Sequence, residues 1–419
     1  KAPSEHTAQE QEAIALINQG KLQDAEAIYR KLIAEGTRNH ITYCNLAAIC
    51  GMQNRREELI SLLNKAILFK PSYADAHLNL GKALQEQGNF TAAIASYKQA
   101  ISLRNDYAEA HFGLGNTLKA QGNLSAAIFS YKTALSLKPN YPEALLNLGN
   151  ALQEEGSLTE AMASYKNALS LKPNYPEALL NLGSVLQEQG SLTEAIATYK
   201  NALSLRSNYS DAHHNLGNAL KSQGNINAAI ASYRKAIDLT PDDSMTQFNL
   251  SIAELLAGDY KSGWKRYEYR IECKQDQGIL KSKPHCKQWL NGEIKTGSDL
   301  LLISEQGIGD TLQFMRYALT LSKQGIQVSL CAQPKLHTLI KASGINTSLL
   351  TPEQASQIDH GLWMPLLSVC RYLGVSRENP IITEPYIKAT EELVKKWKGI
   401  LANESRPIIG INWQGNPNA

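Results

Sequence analysis

Long apolar runs are missing from this chain of 419 residues. No stretch approaches the roughly 18 consecutive apolar residues that a membrane helix requires, so no membrane span is expected. An excess of one charge is missing too. The 42 Lys and Arg residues against 39 Asp and Glu leave a net +3, which points neither to a nucleic-acid partner nor to an acidic tail. Cysteine is sparse. The six cysteines (44, 50, 273, 286, 331 and 370) form no CxxC and no framework spacing, which favours free thiols in a reducing compartment, with the cytoplasm as the expected location. The opening KAPSEHTAQEQEA holds neither a methionine nor an apolar signal segment, so the numbering is expected to begin inside a longer gene product. A chain of this length should hold two or three domains, each with its own core.

What is present is a period. YADAHLNLGKALQEQGNFTAAIASYKQAI, YAEAHFGLGNTLKAQGNLSAAIFSYKTAL and YPEALLNLGNALQEEGSLTEAMASYKNAL recur with a step of 34 residues, the signature of a helical solenoid. Each unit reads as two helices. The first opens on an acid (Asp75, Glu109, Glu143, Glu177, Asp211) that suits the positive end of a helix. Pro142 and Pro176 sit just before it, where a missing N–H costs nothing. A glycine ends it (Gly88, Gly122, Gly156, Gly190, Gly224), as a left-handed C-terminal cap requires. The second helix starts on Asn or Ser, and SLTE at 157–160 and 191–194 predicts capping boxes. Gly81, Gly115, Gly149, Gly183 and Gly217 fall where only a small residue lets two helices approach, facing Ala93, Tyr97, Ala100 and their equivalents. This pattern resembles the tetratricopeptide repeat. Unit starts are predicted at His40, Ala74, Ala108, Pro142, Pro176 and Ser210, with weaker units from about His6 and from Ser244. Residues 1–277 are therefore expected to be a repeat superhelix of about eight helix pairs.

Two residues before the packing glycine, or before Ala47 and Ser251 that replace it in the outer units, stands a carboxamide: Asn45, Asn79, Asn147, Asn181, Asn215 and Asn249, with Gly113 as the one interruption. Such residues lie about 200° around the helix from the glycine and cannot share its buried face. Their donors and acceptors would hydrogen-bond the backbone of an extended peptide without reading its sequence. Asn116, Asn150 and Asn218 would widen the polar strip. The column resembles the asparagine ladder in the repeat domain of O-linked N-acetylglucosamine transferases, which grips protein substrates. A structural alternative stays open, in which each Asn bonds the backbone of the neighbouring unit. His77, His111 and His213 occupy a packing slot rather than a metal site, and no metal is expected.

Near residue 278 the period stops. Residues 278–298 read as a polar connector. Beyond it, strand 299–303, helix 311–323, strand 326–331, helix 334–342, a short strand near 347–350, the apolar stretch GLWMPLLSVC, a helix near 391–401 and strand 407–412 alternate. This predicts a parallel, doubly wound, Rossmann-like α/β domain with its ligands at the carboxyl ends of the strands. SEQGIGDTLQFMR (304–316) falls there. It is no dinucleotide fingerprint, because Leu312 stands where the third glycine belongs, and no Walker lysine follows.

GWKRYEYR (263–270), KPHCKQWLNG (283–292), SEQGIGDTLQFMRY (304–317) and INWQGNP (411–417) occur in this order in bacterial proteins that join tetratricopeptide repeats to a glycosyltransferase domain. That domain is similar to the heptosyltransferases, whose GT-B fold has two Rossmann-like halves. The resemblance implies that residues 299–412 are the acceptor-side half and that 413–419 begin a donor-side half, with Trp413, Gly415 and Asn416 on the donor side. It implies a nucleotide-sugar as donor substrate, and it matches Gly309–Asp310 to the pair supplying the catalytic base. On that reading Asp310 takes the proton of the acceptor hydroxyl, Gly307 and Gly309 admit the acceptor close to the backbone, and Glu305 and Gln306 orient it. The competing role for Asp310 is the N-cap of its helix. The expected function is inverting sugar transfer to an acceptor, a polypeptide recruited by the repeats, by a chain whose donor site is incomplete. The alternative is a protein-binding scaffold with a vestigial α/β domain.

Overall fold

The computed structural model describes residues 5–273, 282–305, 307–343, 345, 347–381, 387–388 and 390–400. Contacts within the chain divide into two compact units, Lys1–Ala219 and Leu220–Ala419.

The repeats form antiparallel helix pairs: α1 (Glu5–Asn18) and α2 (Leu22–Ala34), α3 (His40–Met52) and α4 (Arg56–Phe69), α5 (Ala74–Glu86) and α6 (Phe90–Leu103), α7 (Ala108–Ala120) and α8 (Leu124–Leu137). They continue as α9 (Pro142–Glu155) and α10 (Leu158–Leu171), α11 (Pro176–Glu188) and α12 (Leu192–Leu205), α13 (Ser210–Ser222) and α14 (Ile226–Leu239), α15 (Ser244–Ala257) and α16 (Tyr260–Tyr267). The boundary between the two compact units falls inside α13, so the last repeats group with the residues that follow them.

Stacking follows from the glycine–tyrosine contact. A Cβ at Gly81, Gly115, Gly149 or Gly183 would sit 2.5–2.8 Å from the ring of Tyr97, Tyr131, Tyr165 or Tyr199 on the partner helix. Each of these tyrosines is at most 1% exposed, and its burial contributes roughly 2–3 kcal/mol. Gly88, Gly122, Gly156, Gly190 and Gly224 have φ between 79° and 91°, the left-handed turn expected of them.

The predicted capping boxes do not form. Ser157 and Ser191 stand at N-caps but make no cap hydrogen bond, and the Ser157 hydroxyl turns to Glu155 instead. At Ser157 the backbone angle ψ is 61°, short of the extended cap conformation. At the equivalent caps Asn89 and Asn123 accept from the N–H of Ala92 and Ala126 at 3.3 Å, whereas Asn225 makes no cap bond.

The second unit adds α17 (Arg270–Cys273) and a five-stranded sheet of β1 (Lys287–Gln288), β2 (Asp299–Ile303), β3 (Gln327–Cys331), β4 (Ser348–Leu350) and β5 (Leu362–Pro365). All its pairings are parallel, in the order β1-β5-β2-β3-β4. Its helices are α18 (Ile308–Phe314), α19 (Arg316–Lys323), α20 (Pro334–Ala342), α21 (Pro352–Ser356), α22 (Val369–Tyr372) and α23 (Glu391–Ile400). Alternation along β2 splits the core. Leu300 and Leu302 pack with Leu321, Leu336 and Ile340 on one face, and Leu301 and Ile303 with Cys331, Ala355 and Trp363 on the other. The expected connector contributes β1 and the buried Trp289, whose backbone N–H bonds the Trp363 carbonyl at 2.8 Å. The single helix expected at 311–323 is two, α18 and α19, and it starts three residues earlier. The predicted strand 407–412 lies outside the described residues.

Candidate functional site

Two places carry polar groups with work to do. The first is the face formed by the leading helix of each repeat in the first unit. Asn147 Nδ2 donates to Asn116 Oδ1 at 2.8 Å, and Asn181 Nδ2 donates to Asn150 Oδ1 at 2.7 Å. The same two acceptors take the hydroxyls of Tyr131 and Tyr165 at 2.8 Å. Asn116 and Asn150 are therefore hubs that join a buried tyrosine to the next unit. The inter-unit bond runs between side chains and not, as the structural alternative had it, to backbone. Asn147 and Asn181 are half-buried, and each keeps its carbonyl oxygen and one N–H without a partner among the described residues. Asn79 is exposed and Asn215 half-buried. Asn45 donates to the Tyr29 hydroxyl at 3.0 Å, and in the second unit Asn249 accepts from Lys221 at 3.2 Å. His77 and His213 use Nε2 on the carbonyls of Pro71 and Ser207, at 2.9 and 3.0 Å.

A second inter-unit device escaped the sequence reading. Arg104, Lys138, Lys172 and Arg206 lie 4.1–4.8 Å from the ring centres of Tyr107, Tyr141, Tyr175 and Tyr209. Three of these cations also reach back to the acid opening the preceding leading helix: Arg104 to Asp75, Lys138 to Glu109 and Arg206 to Glu177. The hydrogen bond from Lys138 holds the Glu109 carboxyl below the usual carboxylate range. The signal was a cation three residues before each of these tyrosines.

The second place is the carboxyl end of β2. Ser304 Oγ lies 2.7 Å from Thr311 Oγ1, which donates to Gln333 Oε1 at 2.9 Å and thereby ties the ends of β2 and β3 together. Gly307 is the N-cap of α18, so Asp310 is not a cap. It stands in the first turn, half-buried, and its carboxylate takes no hydrogen bond among the described residues. Gly307 has φ −65° and needs no glycine for its backbone, and a Cβ at Gly309 would meet open space.

Glu305 corrects its expected role. Its side chain is fully buried, with Oε1 accepting from Arg270 Nη2 at 2.8 Å and from the Leu367 N–H at 3.0 Å, and Oε2 from Arg270 Nε at 2.9 Å. With both oxygens engaged it is an anchor and cannot orient a substrate hydroxyl. Arg270 Nη2 also donates to Ser368 Oγ at 2.9 Å, and that hydroxyl donates to Glu268. Trp264 Nε1 donates to the Val375 carbonyl at 2.7 Å. The motif GWKRYEYR thus fastens α16 and α17 to the sheet. Gln306, Trp413, Gly415 and Asn416 lie outside the described residues. Among the described residues no group of three or more His, Cys, Asp or Glu is placed to hold a metal, and no helix is long and apolar enough to cross a membrane.

The family model described as TPR repeat matches residues 85–122, 115–156, 149–190 and 184–224, and the one described as tetratricopeptide repeat matches 210–243. Residues 85–243 are tetratricopeptide repeats. Arrays of such repeats are suited to protein–protein interaction. Among solved structures the chain is similar to YrrB, a TPR protein with an unusual peptide-binding site (25% identity, 44% of this chain and 95% of that one, TM-score 0.39). It is similar to the APC/C hetero-tetramer Cut9–Hcn1 (19% identity, 63% of this chain and 52% of that one, TM-score 0.47). PilF of Pseudomonas aeruginosa is a further likeness (20% identity, 48% of this chain and 90% of that one, TM-score 0.43). A comparison with curated proteins finds no match.

Proposed function

We propose that the tetratricopeptide repeats hold an extended polypeptide along the asparagine column. The observation that carries this reading is the state of Asn147 and Asn181. Each spends one N–H on the neighbouring unit, which orients the carboxamide, and keeps an acceptor and a donor at a half-buried position. Pre-oriented amides of this kind match peptide backbone at regular intervals and lose little side-chain entropy on binding. Replacing Asn147, Asn181 and Asn215 together by Ala is expected to weaken peptide binding at least ~10-fold, on the order of 0.5–1.5 kcal/mol for each hydrogen bond. Unchanged affinity with unchanged stability would remove the column from recognition.

A second reading concerns the sheet. On the resemblance to glycosyltransferases, residues from Asp299 onward form the acceptor side of a sugar transfer. Asp310 accepts the proton of the acceptor hydroxyl as its oxygen attacks the anomeric carbon and the nucleotide diphosphate leaves. Asp310 supports this by being half-buried, uncapping and uncommitted to a hydrogen bond among the described residues, in the first turn of α18. A panel of nucleotide-sugars, read by nucleotide release, tests it in the full gene product. Turnover that Asp310→Asn abolishes without loss of thermal stability supports the base. Absence of turnover with every sugar nucleotide favours a scaffold that only binds protein.

A further inference from the structure

The trailing helix of the last repeat, α16, carries cations where the others do not. At the positions of Lys261, Lys265 and Arg266, helices α6, α8, α10, α12 and α14 hold no charged residue. In the second unit these side chains meet Arg371 of α22 at two cavities, both of which Lys265 and Arg371 line. One, of about 440 Å³, adds Ser262, Arg266 and Tyr269. The other, of about 340 Å³, adds Tyr260, Lys261, Trp264 and residues 374–376. Both volumes fall within the ~300–1,000 Å³ of small-molecule sites.

Among the described residues no carboxylate lines either cavity, and the acids close by in sequence are committed elsewhere. Asp259 caps α16, accepting from the Ser262 N–H at 3.1 Å. Glu254 is paired with Arg234 and Arg266 at 3.3 and 3.2 Å. Glu268 is paired with Arg270 and accepts from the Ser368 hydroxyl. Arg266 is thereby neutralised, but Lys261, Lys265 and Arg371 make no ion pair or side-chain hydrogen bond among the described residues. The half-buried Arg371 guanidinium lies 5.3 Å from the centre of the Trp289 ring. That cation–π contact steadies it and consumes none of its N–H donors. The Tyr269 hydroxyl is a further donor without a partner among the described residues. Two cations facing one space without a counter-charge repel each other, and a bound anion relieves this. Phosphate suits the pair, because an arginine fork and a lysine point charge both serve its oxygens. The rings of Tyr260 and Trp264 give the smaller cavity an apolar wall that an inorganic anion would leave unused.

We propose that these cavities form an anion site for a small soluble phosphate ester. Lys265 and Arg371 hold its phosphate, and Tyr260 and Trp264 face its organic part. The site shares no residue with the SEQGIGD loop, so the inference stands apart from any role of Asp310.

Calorimetric titration of the intact chain at fixed ionic strength tests this, with phenyl phosphate and inorganic phosphate as probes. One phenyl phosphate is expected to bind per chain, ~3-fold or more tighter than inorganic phosphate because its ring meets the aromatic wall. Lys265→Met and Arg371→Met should each weaken both probes at least ~10-fold, the effect of one charge-assisted hydrogen bond. Lys335→Met removes an exposed cation that lines neither cavity. It should change affinity less than ~2-fold, as a screened remote charge does. Lys265 is exposed, so its replacement leaves the fold intact, and an unchanged urea midpoint checks this. A folded Lys265→Met protein that binds like wild type overturns the site, whatever Arg371→Met does. An equal loss in Lys335→Met, or no binding of either probe by wild type, overturns it too. Inorganic phosphate binding as tightly as phenyl phosphate overturns the ester. Sedimentation with phosphatidic acid vesicles, without binding of phenyl phosphate, overturns the soluble ligand in favour of a membrane surface.

Discussion

Replacing Arg270 by Met removes a guanidinium whose side chain is 1% exposed from a carboxylate that is 0% exposed. The wild-type pair is bidentate, with Nε and Nη2 at 2.9 and 2.8 Å from the two Glu305 oxygens. Burial pulls the Arg270 pKa down, but the attraction of Glu305 outweighs it and leaves the guanidinium raised and firmly charged. In the variant Glu305 keeps one donor, the Leu367 N–H at 3.0 Å, and Ser368 loses a donor to its oxygen. A charge pair at this range is worth about 4 kcal/mol at an effective dielectric of 20, and orphaning one partner of a buried pair costs about 3–5 kcal/mol. The expected loss is therefore ~4 kcal/mol, a large share of the ~5–15 kcal/mol that holds a domain together. All five tryptophans (264, 289, 363, 397 and 413) lie beyond Ala219, so fluorescence-detected urea unfolding reports on the second unit. The double variant Arg270→Met, Glu305→Leu removes both charges and leaves the Leu367 N–H without its acceptor, at about 1–3 kcal/mol. It should recover part of the loss. A single variant costing under ~1 kcal/mol, or a double variant no better than the single, would refute the claim that this pair fastens α17 to the sheet.

Three further outcomes are expected. Gly183→Ala puts a Cβ 2.5 Å from the buried Tyr199 ring and should cost about 1–3 kcal/mol in urea unfolding, whereas Gly190→Ala meets open space and costs only the strain of a left-handed residue, about 1–2 kcal/mol. Burial raises the pKa of Tyr97, Tyr131, Tyr165 and Tyr199 above the ordinary 10. The folded repeats then hold protons that the unfolded chain releases, so stability is full below pH ~10 and falls as the pH rises further. Urea midpoints at pH 8 and pH 11 measure this, and a Tyr165→Phe variant should lose less. Burial also pushes the thiols of Cys331 and Cys370 up to about 11 and about 12. Both should resist iodoacetamide at pH 7.5 in the folded protein and react promptly once urea unfolds it.

The repeats were legible to the residue. Helices begin at His40, Ala74, Ala108, Pro142, Pro176, Ser210 and Ser244, each a predicted unit start, because a 34-residue period constrains every boundary several times over. The caps were less so. SLTE has the letters of a capping box, but after a left-handed glycine the cap residue takes a ψ of 59–61° at Ser157 and Ser191, and neither serine makes the bond. Glu305 was misplaced for a different reason. A polar residue after a strand and before glycines reads as a loop ligand, and its partner Arg270 lies 35 positions away on another element. No local pattern announces a pair of that separation. The competing cap role of Asp310 fails because α18 starts three residues before the expected helix, and that start depends on Gly307 taking an extended ψ of 171°, which nothing in SEQGIGD demands.

Periodicity also limits what a repeat sequence says about function. A residue that obeys the period is accounted for by stacking, as Gly149 is by Tyr165 and Asn150 by Tyr165 and Asn181. Its recurrence shows that neighbouring units need it, and a binding role rests only on the groups stacking leaves over. A residue that breaks the period can have the same account: Gly113 stands where the neighbouring units carry Asn, and a Cβ there would lie 2.6 Å from the buried ring of Tyr97.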